Sequence, residues 1–477
     1  PDPDDVIQFK DPIAKYACVD KFDTNKDGEV SYAEAAVVTS LEGLFTDWNT
    51  VTEFDEIRFF TAVTSTNNVF TGLSQLKHII IPDNITTLGT FQNCTSLETV
   101  VLPAALNSIP THCFDACYSL KSVTLPTGIT SIPSHAFQKC YYLETLNVPA
   151  TLTSIEQYAF YNCTYLTGIE LPSGFKTIGD WAFANCQTIT SMACPTSMTA
   201  IGMGAFSSCS ALTSFAIGNG VSVGQYAFSG CSSLVSVVLP EDMTAIPAYC
   251  FEGCTKLASI TWPTALTTIG NNAFANCRFE ANDYALQLPS SVTSIGSNAF
   301  GLLRHLVLPS ASPISIASNS FVANYTIVYV PDGMVDMYKV RTNWSNYADR
   351  IMPISDYPVS SFTIGGTTVG EAVDLGLSVK WASWNVGASS PEGYGAYFAW
   401  GETDMKWDYD WSTYQWCNGD DTKLTKYCPT NKTDYWDGAG TPDGKTVLDL
   451  EDDAARANWC GNWRMPTDEE WTELRDL

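Results

Sequence analysis

Nine cysteines stand at almost even intervals: Cys94, Cys117, Cys140, Cys163, Cys186, Cys209, Cys231, Cys254 and Cys277, 23 residues apart except for one step of 22. A phenylalanine precedes each by three positions, from Phe91 to Phe274. A fixed period of this length marks one supersecondary unit stacked many times. Such a unit cannot bury its apolar face alone, and stacking buries it while leaving a long external surface. The middle of the chain is therefore expected to be a solenoid, and surface recognition is its first functional expectation.

One full unit runs from Leu143 to Cys163. Leu146 and Val148 alternate with polar neighbours, which predicts a short strand with one buried face. Pro149 ends that strand because it has no N–H for a ladder. Ile155 opens a second inward segment, and Ala159-Phe160 sits on a tight turn. The next unit, Leu166 to Cys186, repeats the pattern. Beyond Cys277 the phase drifts: Phe300 and Phe321 persist without a cysteine. Residues 325–354 are expected to be a terminal cap, since end repeats must close the core.

One cysteine per unit at one phase predicts a column, with neighbours about 5 Å apart. Parallel inward side chains are poorly set for bridging, and free cysteine packs as a small hydrophobe. A reduced ladder is the expectation. Cys417, Cys428 and Cys460 lie outside it, and the sequence chooses no pair among them.

The net charge of -27 is carried mainly by the two ends, with the repeats nearly neutral. Such a chain repels phosphate backbones, so nucleic acid is not an expected partner. No apolar run approaches the roughly 18 residues of a membrane span, so the chain is not expected to span one. The polar start Pro1-Asp2-Pro3-Asp4-Asp5 is expected to be a mature or trimmed terminus.

Residues 23–34 fit a twelve-residue calcium loop. Asp23, Asn25 and Asp27 occupy positions 1, 3 and 5, and Gly28 supplies the sharp turn. Glu29 would offer its carbonyl, Ser31 a bound water and Glu34 a bidentate carboxylate. Helices are expected over 12–22 and 32–45. A single such loop predicts a structural ion that fixes a helical cap on the first repeat, not a paired sensor.

The position before each Ala-Phe pair reads His112, His135, Tyr158, Trp181, Gly204, Tyr226, Tyr249, with Cys250 replacing the last alanine and Cys113 the first. Stacking places these rings along one edge. They are candidates for holding a sugar or an extended peptide, because rings offer large area at low entropy cost. The alternative is that they pack on one another. His112 and His135 are expected to be spacers, not metal ligands.

These repeats resemble the BspA-like family of leucine-rich repeats over roughly residues 54–354. The resemblance implies a right-handed solenoid on the bacterial envelope, with some members acting as adhesins, and a calcium-loop segment often precedes the repeats. From Trp381 onward the chain holds ten of its fourteen tryptophans. The segments Val373–Ala388, Gly395–Thr403 and Gly461–Trp471 are similar to the Fibrobacter succinogenes major paralogous domain. That likeness implies an α+β module related to C-type-lectin-like and formylglycine-generating-enzyme-like folds. The chain stops at Leu477 inside an expected helix, so the module is expected to be incomplete. Trp407, Trp411, Trp416 and Trp436 are candidates for glycan or protein contact; Trp381, Trp384, Trp400, Trp459, Trp463 and Trp471 are expected to build its core.

No enzyme motif is evident: His78, His112, His135 and His305 all lie in the repeats, and no nucleophile elbow, zinc-protease or phosphate-loop signature occurs. Glu402 and Asp404 are the first suspects for a glycosidase pair, which has no local signature.

The expected fold is mainly β with short helical turns. It comprises an EF-hand-like helical cap (1–50), a leucine-rich-repeat solenoid (51–354), a linker (355–372) and the C-terminal module (373–477). The expected function is non-catalytic adhesion to a host or bacterial surface protein or glycan, with calcium bound. A glycan-binding C-terminal module and an envelope spacer are the alternatives. The expected location is the exterior or outer surface of a Gram-negative bacterium, with a lipid anchor, if any, in a segment outside this chain.

Overall fold

A computed structural model describes residues 2–279, 286–321 and 325–356, together with strands at 362–364, 367–369, 372–373 and 381–382. It divides into two compact units. The first comprises Pro1–Phe279, Ser291–Leu303 and Pro313–Asn324; the second comprises Glu280–Ser290, Arg304–Ser312 and Tyr325–Leu477.

In the first unit each repeat supplies short parallel strands. One ladder runs His78–Ile80, Thr99–Val101, Ser122–Thr124 and Thr145–Asn147 in that order. Its central residues Val100, Val123 and Leu146 are buried between exposed neighbours, as the alternation predicts. It resumes as Ser214–Ala216, Ser236–Val238 and Ser259–Thr261. The expected strand between Leu166 and Pro172 is not formed. Gly168 stands where the unit before has Thr145, and its φ of 144° is a conformation that side chains rarely adopt.

A second ladder is built from two-residue strands such as Ser154–Ile155, Thr177–Ile178 and Ala200–Ile201. Their isoleucines are buried, which is the second inward segment expected from Ile155.

The repeats also build a buried column of phenylalanines. Phe70, Phe91, Phe114, Phe137, Phe160, Phe183 and Phe206 stack nearly parallel, from 4.9 Å at Phe70–Phe91 to 5.5 Å at Phe183–Phe206. Each is fully buried. The cysteine column runs beside it. Cys117 donates its S–H to the Phe91 carbonyl at 3.1 Å, Cys140 to Phe114 at 3.1 Å and Cys163 to Phe137 at 3.0 Å. Each thiol thus ties its repeat to the one before. The described cysteines are all free. Burial pushes the Cys94 and Cys277 thiols up to about 12.

The N-terminal segment opens with α1 (Pro12–Phe22), capped by Asp11, whose Oδ1 accepts from the Ile13 and Ala14 amides. Asp11 Oδ2 accepts from the amide and hydroxyl of Thr52, at 2.7 and 2.6 Å. One carboxylate therefore starts the helix and fastens it to the first repeat. The next helix, α2, spans only Tyr32–Val37, not the expected 32–45. The β-branched run Val37-Val38-Thr39 resists helix continuation. Leu41, Leu44 and Phe45 are still buried, but from turns.

In the second unit, Leu286–Gln287, His305–Val307, Ile327–Val330 and Ile351–Pro353 form a parallel sheet in that order. The segment expected as a cap thus supplies two strands and α3 (Val335–Val340). Tyr338 meets the buried Trp344 edge-on at 5.0 Å. Within the segment expected as a linker, Phe362–Ile364 pairs antiparallel with Thr367–Val369. Among the described residues no helix is long and apolar enough to cross a membrane.

Candidate functional site

The edge row occupies an unusual backbone position. His112, His135, Tyr158, Trp181, Tyr226 and Tyr249 all have φ between 56° and 61°, in the left-handed region. Bulky residues there cost roughly 1–2 kcal/mol each. The later repeats relieve that cost with Asn272 and Asn298, and Gly204 relieves it within the row. Cross-repeat hydrogen bonds hold the strained residues: the Tyr158 amide donates to the Asp180 carbonyl at 2.9 Å, and the Trp181 amide to Met203 at 2.7 Å. Persistent strain with bulky rings is an observation that points toward function.

The rings stack in two groups. His112 and His135 lie 4.5 Å apart at 20°, and Tyr158 follows at 5.1 Å. Tyr226 and Tyr249 lie 4.4 Å apart at 9°. All six are half-buried. His112 Nδ1 also meets Asp115 Oδ2 at 2.9 Å. Burial lowers the His135 pKa, and neighbouring His112 adds to the effect. Trp181 breaks the sequence of stacks: it leans over Gly204 and faces Tyr226 at 6.2 Å. A notch of about 240 Å³ remains, lined by Tyr158, Tyr161, Trp181, Ala184, Asn185 and Ser207.

A second ring ladder escaped sequence reasoning. Tyr118 stacks on Tyr141 at 5.0 Å, and Tyr142 on Tyr165 at 5.3 Å. Tyr142 and Tyr165 are about half exposed, at 52% and 51%. The signal was present as tyrosine one or two positions after the cysteine, but it recurs in only three repeats.

The loop at 23–34 is organised by its own carboxylates. Asp23 accepts from the amides of Lys26 at 2.6 Å and Gly28 at 2.8 Å. Asn25 and Asp27 accept from the Asp27 and Glu29 amides. Lys26 and Gly28 take left-handed φ values of 62° and 84°. Ser31 caps α2 in a reciprocal box with Glu34. Glu34 Oε1 accepts from the Thr24 amide at 2.8 Å, and Oε2 from the Ser31 amide at 2.9 Å. Chiefly the Ser31 amide holds its carboxyl down at about 2. The Glu29 carboxylate pairs with Lys15 Nζ at 2.6 Å. These donors are all hard oxygens, as calcium requires. They are engaged with N–H and O–H groups, however, and no three His, Cys, Asp or Glu groups converge as a metal cluster among the described residues. An ion would have to draw Glu34 away from its hydrogen bonds.

Trp407, Trp411, Trp416 and Trp436 lie outside the described residues, as do Trp384, Trp400, Trp459, Trp463, Trp471, Cys417, Cys428, Cys460, Glu402 and Asp404.

A family model described as "BspA type Leucine rich repeat region" matches residues 49–167, 130–232, 153–280 and 221–332. Among solved structures, a leucine-rich repeat protein from Bacteroides ovatus ATCC 8483 is 23% identical, with a TM-score of 0.47, over 61% of this chain and 88% of that one. A leucine rich cell surface protein from Faecalibacterium prausnitzii A2-165 is 25% identical, with a TM-score of 0.37, over 52% and 71%. A leucine-rich repeat protein of T. pallidum is 26% identical, with a TM-score of 0.27, over 42% and 76%. Curated proteins give no match.

Proposed function

The chain belongs to the BspA-type leucine-rich repeat family, and from that premise we propose a non-catalytic, cell-surface or secreted adhesion protein. It binds a host or bacterial surface protein or glycan through its repeat surface. The observation that carries this reading is the row of half-buried rings at His112, His135, Tyr158, Trp181, Tyr226 and Tyr249, kept in left-handed turns where asparagine or glycine would relieve strain. Rigid aromatic area held in place in advance lowers the entropy lost on binding.

In the same reading, loop 23–34 takes one structural calcium. Asp23, Asn25, Asp27 and Glu34 would hold it with the Glu29 carbonyl, and Ser31 would contribute through a water. The ion would supply charge compensation that fixes α1 against α2.

The test is a panel of matrix proteins and glycans probed with the full chain and with the Tyr226→Asn/Tyr249→Asn double variant. Asparagine tolerates the left-handed turn, so the variant removes rings without breaking the turn. A ligand that binds the wild type and is lost by the variant supports the row. Unchanged binding at an unchanged melting temperature sinks it.

A further inference from the structure

We propose that the notch between Tyr158 and Trp181 is a subsite for a single neutral pyranose ring. The inference rests on the row's being a ligand surface and gives it a ligand class.

The notch exists because of one glycine. At every other step from His112 to Tyr249 the row carries a ring, but at Gly204 it carries none. The Trp181 indole occupies that empty place: a Cβ on Gly204 would lie 2.4 Å from Cε3 and 2.6 Å from Cδ2. By leaning there it moves out of reach of Tyr158, with which it forms no ring pair among the described residues. Tyr158 instead meets Tyr161 edge-on, at 5.5 Å and 79°. Two aromatic walls therefore stand apart, one from each repeat.

The floor and rim are polar but uncharged. Ala184 is the buried base, and Asn185 and Ser207 are half-buried beside it. The Asn185 carboxamide, the Ser207 hydroxyl and the Trp181 indole N–H make no hydrogen bond to other described residues. Carboxamide and hydroxyl each donate and accept, which suits vicinal sugar hydroxyls. The C–H face of a pyranose suits the negative face of an indole or phenol ring. No lysine, arginine, histidine, aspartate or glutamate lines the notch, so nothing there selects a charged ligand. Its 240 Å³ falls below the roughly 300–1,000 Å³ of ordinary small-molecule sites. It fits one ring of a longer glycan that runs on along the row.

The experiment uses the full chain against neutral methyl pyranosides and neutral hexose and N-acetylhexosamine oligosaccharides, read by array and then by calorimetric titration. The variants are Trp181→Asn, Asn185→Gly, Tyr249→Asn to probe the row beyond the notch and, as a control, Tyr165→Ala at an exposed ring off the row. Asparagine and glycine both tolerate the left-handed turns at these positions, and a thermal melt confirms folding. The expected result is a neutral glycan that binds about tenfold more weakly to Trp181→Asn and to Asn185→Gly, the scale of one lost polar or stacking contact, is weakened less by Tyr249→Asn and is unaffected by Tyr165→Ala. Equal weakening by Tyr249→Asn would overturn the notch while leaving the row as the ligand surface. Indifference to Trp181→Asn, Asn185→Gly and Tyr249→Asn would overturn the notch by placing the site elsewhere. Binding only to proteins or charged glycans would overturn the pyranose assignment, and sensitivity of that binding to Tyr249→Asn would show that the row reading survives.

Discussion

Trp181 lies over Gly204, so close that a Cβ on the glycine would stand 2.4 Å from the indole. The two residues are one repeat apart, and neither makes sense alone. A ring at 204 would keep the tryptophan upright and continue the stack; glycine lets it fall forward.

Gly204→Ala should therefore drive Trp181 off its resting place. The new methyl also meets a left-handed backbone with φ of 60°. A loss of about 1–3 kcal/mol is expected from the two effects together. Urea unfolding would measure the loss, and near-UV circular dichroism would report the displaced indole. An unchanged spectrum would contradict the described packing.

The phenylalanine column should be sensitive to single truncations. Phe160 stacks between Phe137 and Phe183 and is fully buried. Phe160→Ala is expected to cost about 3–5 kcal/mol. Tyr165→Ala, at an exposed ring, should cost far less. Comparable losses in denaturant titrations would mean that the column is not the main source of cohesion.

The cysteine column should be inert in the native state and sensitive to base. Burial raises the Cys94 and Cys277 thiols from 9.0 to about 12. An elevated thiol favours the native state while both states stay protonated. That stability is present below pH 9 and is lost as pH rises toward 12, because the unfolded chain releases its protons first. Melting temperature should fall across that window. Native protein at pH 8 should react with a thiol reagent only after denaturant is added, apart from Cys194, which is half-buried, and Cys417, Cys428 and Cys460, which lie outside the described residues. Rapid native labelling of the column would refute its burial.

Calcium should raise the melting temperature of the full chain, and chelation should lower it. Glu34→Gln should erase the difference by removing the bidentate carboxylate. The same carboxylate predicts an acid limb. Its pKa falls from 4.5 to about 2 on folding, so its contribution is present above pH 4.5 and is lost as pH drops toward 2. Glu34→Gln should flatten that limb. A melt indifferent to calcium in the wild type would count against the ion.

Much of the first unit was legible beforehand. The cysteine and phenylalanine columns, the inward isoleucines and α1 all follow from residues that recur at one phase, because identical residues in a stack must share one environment. Helix α2 was overextended because buried Leu41, Leu44 and Phe45 keep helical spacing while the backbone beneath them turns. The tyrosine ladder was missed because it recurs too few times to register as a pattern.

The sequence by itself determined the stack, its core and the line along which the rings fall. Only the tertiary structure decided how those rings stand: that they sit in left-handed turns, that they form two groups, and that Trp181 leans away from Tyr158. The physical reason is that period reports which residues share a position. A ring's tilt depends on what the next repeat places against it, and at Gly204 that is nothing but backbone.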